Sequence, residues 1–368
     1  MLKDYELNNK KRDLSDLFTT VVQKMPRFIG LFGSNSAAGT KHEWLEDVLS
    51  PRSVTASSVS SLTVTASASD VNAVKVGTIL RISDDQATFK VTSKPTATTF
   101  VVALENAFGS TTTTPADGDV LDIISTPQSQ GTENGAGEGI LHALTTSYNY
   151  TQILRKEVEI TATALAASSY GNVDNSINAQ VLIKLNEIAK DLNRMALYGN
   201  RVEASASKEG QAGGLYYFGT QTGGLSVTPS GTPSLSSSIV NDAAELILAK
   251  GGSPNAVICS ISQARALSSE LASQVRVAID NRGTGQYVAQ ITNDVTGQPM
   301  TIMAEYDMLD SDAWVLDTSG LAISSYRPMS DSDTTSKGFD GVTRSVISEL
   351  TFEFKNPLER TCLIKALG

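Results

Sequence analysis

The residues that could do chemistry are few, and their spacing defeats most of the chemistry they suggest. Only two histidines occur, His42 and His142. Neither has a second His, Cys or carboxylate at metal-ligand spacing. Glu43 stands beside His42, but a zinc hydrolase of that kind needs two His four apart on one helix face. Cys259 and Cys362 lie far apart with no CxxC spacing, so they read as small apolar side chains, with no disulfide framework and no zinc knuckle. Asp331, Asp333 and Gly338 follow a calcium-loop rhythm until position twelve, where Val342 replaces the required oxygen ligand. The acidic pairs Asp84 with Asp85 and Asp310 with Asp312 fall at expected turns, where carboxylates cap backbone N–H groups, so no glycosidase pair can be argued from them. GxSxG, Walker A and a helix-opening GxGxxG are all absent. The expectation is a protein without catalytic residues, without bound cofactor or metal, and not an enzyme.

The elements tell more. A chain of 368 residues with 40% hydrophobic and 18% charged residues has the apolar mass for two or three domains, which excludes global disorder. Abundant Ser and Thr, 28 Gly and only 6% aromatics favour strands and turns. A net charge of −10 argues against sequence-independent binding to nucleic acid, because that affinity comes from Lys and Arg neutralising phosphates. Met1 to Arg12 lacks the apolar run of a signal peptide, and no stretch approaches the ~20 apolar residues that span a bilayer.

Along the chain, Leu14, Leu17, Phe18, Val21 and Val22 mark a brief amphipathic helix in an arm that must dock on something. From Ser53 to Ser125 the texture changes to short alternating runs: Val74 to Ile82, Ala87 to Val91, Phe100 to Leu104, and Leu121 with Ile123. Gly77, Asp84 with Asp85, Pro95, Gly109 and Asp117 with Gly118 supply the turns, so the segment reads as a small barrel or sandwich of five or so strands. Thr126 to Gly139 reads as a link. Tyr148 to Ile160 alternates with polar groups on both faces, which suits a two-stranded ribbon whose faces neighbours cover. Next, Asp174 can cap a helix in which Ile177, Val181, Leu185, Ile188, Leu192 and Met195 form one stripe ending at Gly199. Beyond Pro233 an α/β texture predicts helices at Ser238–Lys250 and from a Ser262 cap. It also predicts strands at Ala256–Ile261, Tyr287–Thr292, Pro299–Glu305, Ala313–Leu316 and Leu321–Tyr326. Ser345–Lys355 and Arg360–Leu367 flank Asn356 and Pro357 and read as a closing hairpin.

This order of parts resembles a tailed-bacteriophage major capsid protein of the Hong Kong 97 type. HEWLEDVL at 42–49, YNYTQILRKEVEIT at 148–161 leading through Tyr170 and Gly171 into the long helix, the Trp314–Asp317 strand and ELTFEFKN at 349–356 resemble one branch of that family in wording. The resemblance implies an α+β phage capsid fold with a small all-β insertion. Its parts would be an N-terminal arm, 1–39; an extended two-stranded loop, 40–52 and 126–172; an inserted β-barrel or Ig-like domain, 53–125; a peripheral domain with its spine helix, 173–222 and 335–368; and an axial domain, 223–334. The implied function is a structural subunit of an icosahedral shell, self-assembling into hexamers and pentamers around the phage genome. The implied partners are copies of itself, separate scaffold and portal proteins, and enclosed double-stranded DNA held by weak contacts, with no membrane. It would be located in the virion capsid after assembly in the host cytoplasm. The competing reading is a secreted or surface β-rich adhesive protein, which the Ser and Thr richness favours and the long helix disfavours.

Overall fold

The computed structural model describes residues 27–47, 51–83, 85–109, 114–127, 130, 144–166, 177–272 and 290–368. Two compact units are present: Met1–Glu46 together with Thr145–Gly368, and Asp47–Leu144. The chain passes between them where Glu46 and Thr145 are register partners, so both connections leave from one end of a paired ribbon.

In the larger unit a short 3-10 turn, Phe28–Leu31, precedes β1 (Gly33–Ser36) and β2 (Lys41–Glu46). The smaller unit holds β3 (Ser53–Thr55), β4 (Ser58–Ser60), β5 (Thr63–Thr65), α1 (Ala68–Ala73), β6 (Ile79–Ile82), β7 (Thr88–Thr96), β8 (Thr99–Asn106) and β9 (Val120–Ser125). The chain then returns as β10 (Thr145–Tyr150), β11 (Gln152–Thr161), α2 (Ala162–Ala166), α3 (Ile177–Tyr198) and α4 (Leu215–Gly219). Next come β12 (Leu225–Val227), α5 (Ser237–Ala249), β13 (Ala256–Cys259), α6 (Ile261–Ala272), β14 (Gln290–Thr292), β15 (Pro299–Ala304) and β16 (Ala313–Leu316). Last are β17 (Leu321–Asp333), β18 (Gly341–Phe354), α7 (Pro357–Arg360) and β19 (Thr361–Ile364).

The smaller unit is one seven-stranded sheet in the order β3-β9-β6-β7-β8-β5-β4. Its core is apolar, with Val54, Val64, Leu80, Phe89, Phe100 and Leu121 fully buried. One expected strand is corrected: the alternation beginning at Val74 is not strand until Ile79. Ser67 accepts the Asp70 N–H and starts α1 instead, burying Val71 and Val74, while Gly77 at φ +92° turns the chain into β6.

The larger unit contains two sheets and a ribbon. The four-stranded sheet runs β1-β17-β18-β11, with β1 parallel to β17 and the other pairs antiparallel. The stripe of α3 packs on it: Val181 and Ile188 are buried, and Ile177 and Leu185 half-buried, against Leu154, Val158, Ile160 and Val346. This is the sheet-facing stripe read from the sequence; its Asp174 cap lies outside the described residues. The six-stranded sheet runs β12-β19-β16-β13-β15-β14. Its central strands are buried on both faces, which is why they read as unbroken apolar runs. Val257, Cys259, Val315, Cys362 and Ile364 join α5 and α6 residues in one core. Ile258, Trp314, Leu316 and Leu363 join Phe352, Phe354 and Leu192 in another. Gly219 has no room for a side chain, since a Cβ there would lie 2.6 Å from the Trp314 ring.

Four further expectations are corrected. The run Tyr148–Thr161 is not one ribbon strand: β10 pairs with β2, but at Thr151 the chain changes partner and β11 pairs with β18. Thr151 makes the break by donating its N–H to Thr40 and its hydroxyl to Glu349 Oε1 at 2.8 Å. Second, β18 and β19 do not form a hairpin. Asn356 sits in the left-handed region at φ 50° and Pro357 opens α7, so the chain is redirected from one sheet into the other. Third, 321–326 and 345–354 do not belong to separate sheets: β17 pairs with β18 in the four-stranded sheet, and β19 pairs with β16 in the six-stranded one. Fourth, the cap of α6 is Ser260, whose Oγ accepts the Gln263 N–H; the Ser262 hydroxyl goes to Asp310 instead. Among the described residues, no helix is long and apolar enough to cross a membrane.

Candidate assembly surfaces

The polar residues that matter in this structure are buried carboxylates that tie distant segments together. Glu353, in β18, is almost fully buried. Its oxygens accept from Asn35 Nδ2 at 3.1 Å and from the Ser324 hydroxyl, and meet His42 Nε2 at 2.7 Å, so arm, ribbon and β17 converge on one anion. Burial alone would push its carboxyl upward, but the bonds from Ser324, His42, Asn35 and Lys355 outweigh that and hold it at about 2. Glu305 does the same for the arm and the long helix: Oε2 accepts the Arg27 and Phe28 N–H groups at 3.0 and 3.1 Å, and Oε1 accepts Asn193 Nδ2 at 3.2 Å. Glu46 accepts Trp44 Nε1, the Ser147 hydroxyl and the Asn356 N–H. Glu349 accepts Thr151 Oγ1 and Arg327 Nε.

Asn149, at the heart of the NYTQI wording, is fully buried. Its Nδ2 donates to the carbonyls of Gly213 and Phe352, and its Oδ1 accepts the Gly213 and Tyr150 N–H groups. The side chain thus pins β10 to the body in place of a missing ladder.

Residues weighed for catalysis turn out to have structural partners. His42 meets Glu353; His142 and Asp84 lie outside the described residues. Asp85 Oδ1 caps Gln86 N–H, and Asp312 accepts the Tyr216 hydroxyl at 2.7 Å. Asp310 accepts from Ser262, and bonds from Ser260 and Ser262 lower its pKa. Asp331 pairs with Arg344, while Asp333 accepts the hydroxyl and N–H of Thr335, which lower its pKa. Cys259 and Cys362 are buried free thiols, and burial pushes both up to about 12. Among the described residues, no group of three or more His, Cys, Asp or Glu could hold a metal ion.

What is left outward among the described residues is exposed strand surface. Among the described residues no further strand pairs with either edge of the four-stranded sheet: β1 exposes all four residues, and β11 turns Ile153, Arg155, Glu157 and Glu159 to solvent. Beyond Tyr326 every residue of β17 is exposed. On the ribbon, Lys41, Glu43 and Leu45 face out, and Tyr148 lies between two cations, Lys41 Nζ at 4.3 Å and the Arg201 guanidinium at 4.1 Å from its centroid. Sequence reasoning missed Glu353 and Asn149, whose only signal was a polar residue beside aromatics on the other parity of a strand, and Glu305, which follows the end of β15 and carried no such signal.

No curated protein matches the chain by sequence. Solved structures do match its fold over almost the whole length. The capsid of an empty GTA particle is 10% identical with a TM-score of 0.56, covering 100% of this chain and 98% of its own. The capsid of cyanophage P-SCSP1u is 9% identical with a TM-score of 0.55, covering 97% and 93%. A chain from Microbacterium phage Oxtober96 is 10% identical with a TM-score of 0.51, covering 97% and 95%. An α+β body with stapled arm and ribbon, open sheet edges and this likeness defines a phage capsid fold. A family model described as SU10 major capsid protein matches residues 2–367, and the chain belongs to that family. It is accordingly a structural subunit of an icosahedral capsid, located in the virion, neither an enzyme nor an adhesin.

Proposed function

We propose that this subunit is of the Hong Kong 97 type and builds its shell from hexamers and pentamers joined by heterologous, head-to-tail contacts. The observation that carries the reading is that β1, β11 and the outer half of β17 leave backbone edges and long strand surface that no other described residue covers, a liability that neighbouring subunits would remove. In this reading the four-stranded sheet with α3 is the peripheral domain, and the six-stranded sheet with α5 and α6 is the axial one. Asp47–Leu144 is then an inserted domain at the end of the extended loop. The shell assembles in the host cytoplasm with separate scaffold and portal proteins and encloses double-stranded DNA. With a net charge of −10, its hold on that DNA is weak and local.

The test is sedimentation and negative-stain imaging of the purified chain, alone and with its cognate scaffold. Large closed hollow particles with five- and six-fold rings are expected. A monomer or small oligomer at high concentration with scaffold present would overturn the reading.

A further inference from the structure

The four-stranded sheet carries a charged group without a partner at each of its two ends. Past Gly341, where β18 meets Thr161, the chain closes a finger that joins β17 to β18. Asp333 accepts the N–H and hydroxyl of Thr335, Thr335 Oγ1 in turn accepts the Thr343 N–H at 3.0 Å, and the Thr334 N–H donates to the Thr343 carbonyl at 2.9 Å. At the tip the Phe339 N–H donates to the Ser336 carbonyl at 3.1 Å, and Gly338 takes the positive φ, +92°, that the third residue of a type II turn requires. The finger is a built turn. Lys337, at the second position of that turn, is exposed and has no partner among the described residues.

The other end of the sheet holds a cavity of about 430 Å³ between the start of β11, the last turn of α3 and the loop that follows it. Ile153, Met195 and Tyr198 give it apolar walls, and Glu209 and Gln211 a polar one. The carbonyls at the end of a helix concentrate partial negative charge there. Glu209 adds a full one, exposed and with no cation against it among the described residues. The one cation on the lining, Arg194, is committed to Asp307 at 2.7 Å, and Lys208, next to Glu209 in sequence, is not part of the lining. Apolar walls leading to an anion suit a lysine, whose methylene stem packs on carbon while its ammonium meets the charge.

Finger and cavity cannot meet within one chain. Gln152 is the register partner of Leu350 and Thr161 that of Gly341, so the length of β11, about 30 Å of strand, separates the two ends. Lys337 lies beyond the far one. We propose, resting on the head-to-tail shell proposed above, that the finger of one subunit docks on the next copy of the chain and places Lys337 in this cavity beside Glu209. The complementary charges choose a second copy as the occupant, since the chain itself carries both halves of the contact. A contact between opposite ends of one sheet is heterologous by construction, so each subunit gives one finger and receives another.

The test is carbodiimide coupling of shells assembled from the full chain. The reagent activates a carboxylate, and an amine in contact with it displaces the urea to leave an amide, so ion pairs in contact are joined. Expected are a linked Glu209–Lys337 peptide by mass spectrometry and a ladder of joined subunits on a denaturing gel. Lys337→Arg keeps the charge but offers no coupling amine, so its shells should form while the ladder falls about tenfold. Lys337→Glu sets two carboxylates together and should raise the concentration needed for assembly about tenfold. Adding Glu209→Lys to the same chain should bring that concentration back to within about threefold of the original. Shells that form without the Glu209–Lys337 link, or Lys337→Glu chains that assemble at the original concentration, would overturn this contact and leave the shell itself standing. A chain that stays monomeric with its scaffold present would overturn both.

Discussion

The two units of this molecule are held together by opposite means. In Asp47–Leu144 the buried side chains of the described residues are Val, Leu, Ile, Phe, Ala and one Pro, and Thr78 is the one buried polar side chain among them. In the larger unit Glu46, Glu305, Asp317, Glu349 and Glu353 are all buried, with Asn149 and Asn193. An apolar core is tolerant of small shifts, whereas a buried carboxylate with three or four donors holds only one arrangement of the segments that carry them. The smaller unit needs only to fold. The larger one must fix an arm, a ribbon and a long helix at defined positions, and its buried anions sit at those crossings. Buried ionic groups are poor sources of net stability, so their use here is best understood as a choice of specificity over energy.

That contrast is most easily broken at Glu353. Glu353→Ala leaves His42, Asn35 and Ser324 without their acceptor in a covered site, and the larger unit should lose about 3–5 kcal/mol in urea unfolding. The acid side gives a second reading of the same group. Its folded value of about 2 lies below the usual 4.5, so the unfolded chain binds the proton first. The stabilisation is complete above pH ~4.5 and disappears as pH falls through ~2. Wild type should lose stability over that window more steeply than Glu353→Ala does. Parallel curves would mean that the carboxylate is no staple.

How legible this was from the sequence follows the same division. The α3 stripe and the strands around Phe89, Phe100 and Leu121 come from local periodicity, which a sequence displays directly, whereas the pairing of β2 with β10 is implied only by the family resemblance. The larger misreadings concern where strands go. β18 and β19 look like neighbours because two residues separate the runs, yet the left-handed Asn356 and the helical turn at Pro357 send them to different sheets. The ribbon looks continuous past Thr151 because extended chain continues while its partner changes. Glu353 and Glu305 were invisible as staples because their donors lie some 300 residues away, on Asn35, His42, Arg27 and Phe28. An acidic residue alternating with aromatics reads as a solvent face until the arm and ribbon cover it.

An effect of similar size, confined to the other unit, is expected from Phe89→Ala, which empties the centre of the seven-stranded sheet's core at a cost of about 3–5 kcal/mol to that unit alone. Calorimetry of the full chain should then show one transition moving down while a second, belonging to the larger unit, stays in place. A single transition shifting as a whole would show that the two units fold as one, and the contrast between them would lose its force.

The smallest effect should come from the largest deletion. Glu46 and Thr145 are register partners in the ribbon, so removing Asp47–Leu144 leaves two strand ends already side by side. An Asn-Gly pair placed between them supplies the positive φ at both central positions that a type I′ turn requires and matches the right-handed twist of the flanking strands. The deletion takes away a core that is entirely its own, and it keeps Glu46 with its bonds from Trp44, Ser147 and Asn356. Closing two residues in place of a long insertion also lowers the entropy cost of bringing the strands together, a gain that grows only slowly with the length removed. The unfolding free energy of the larger unit should therefore change by about 1 kcal/mol or less, measured in urea against the intact chain. A loss of several kcal/mol, or failure of the shortened chain to fold while Phe89→Ala spares the larger unit, would mean that the ribbon depends on the inserted unit for its own pairing.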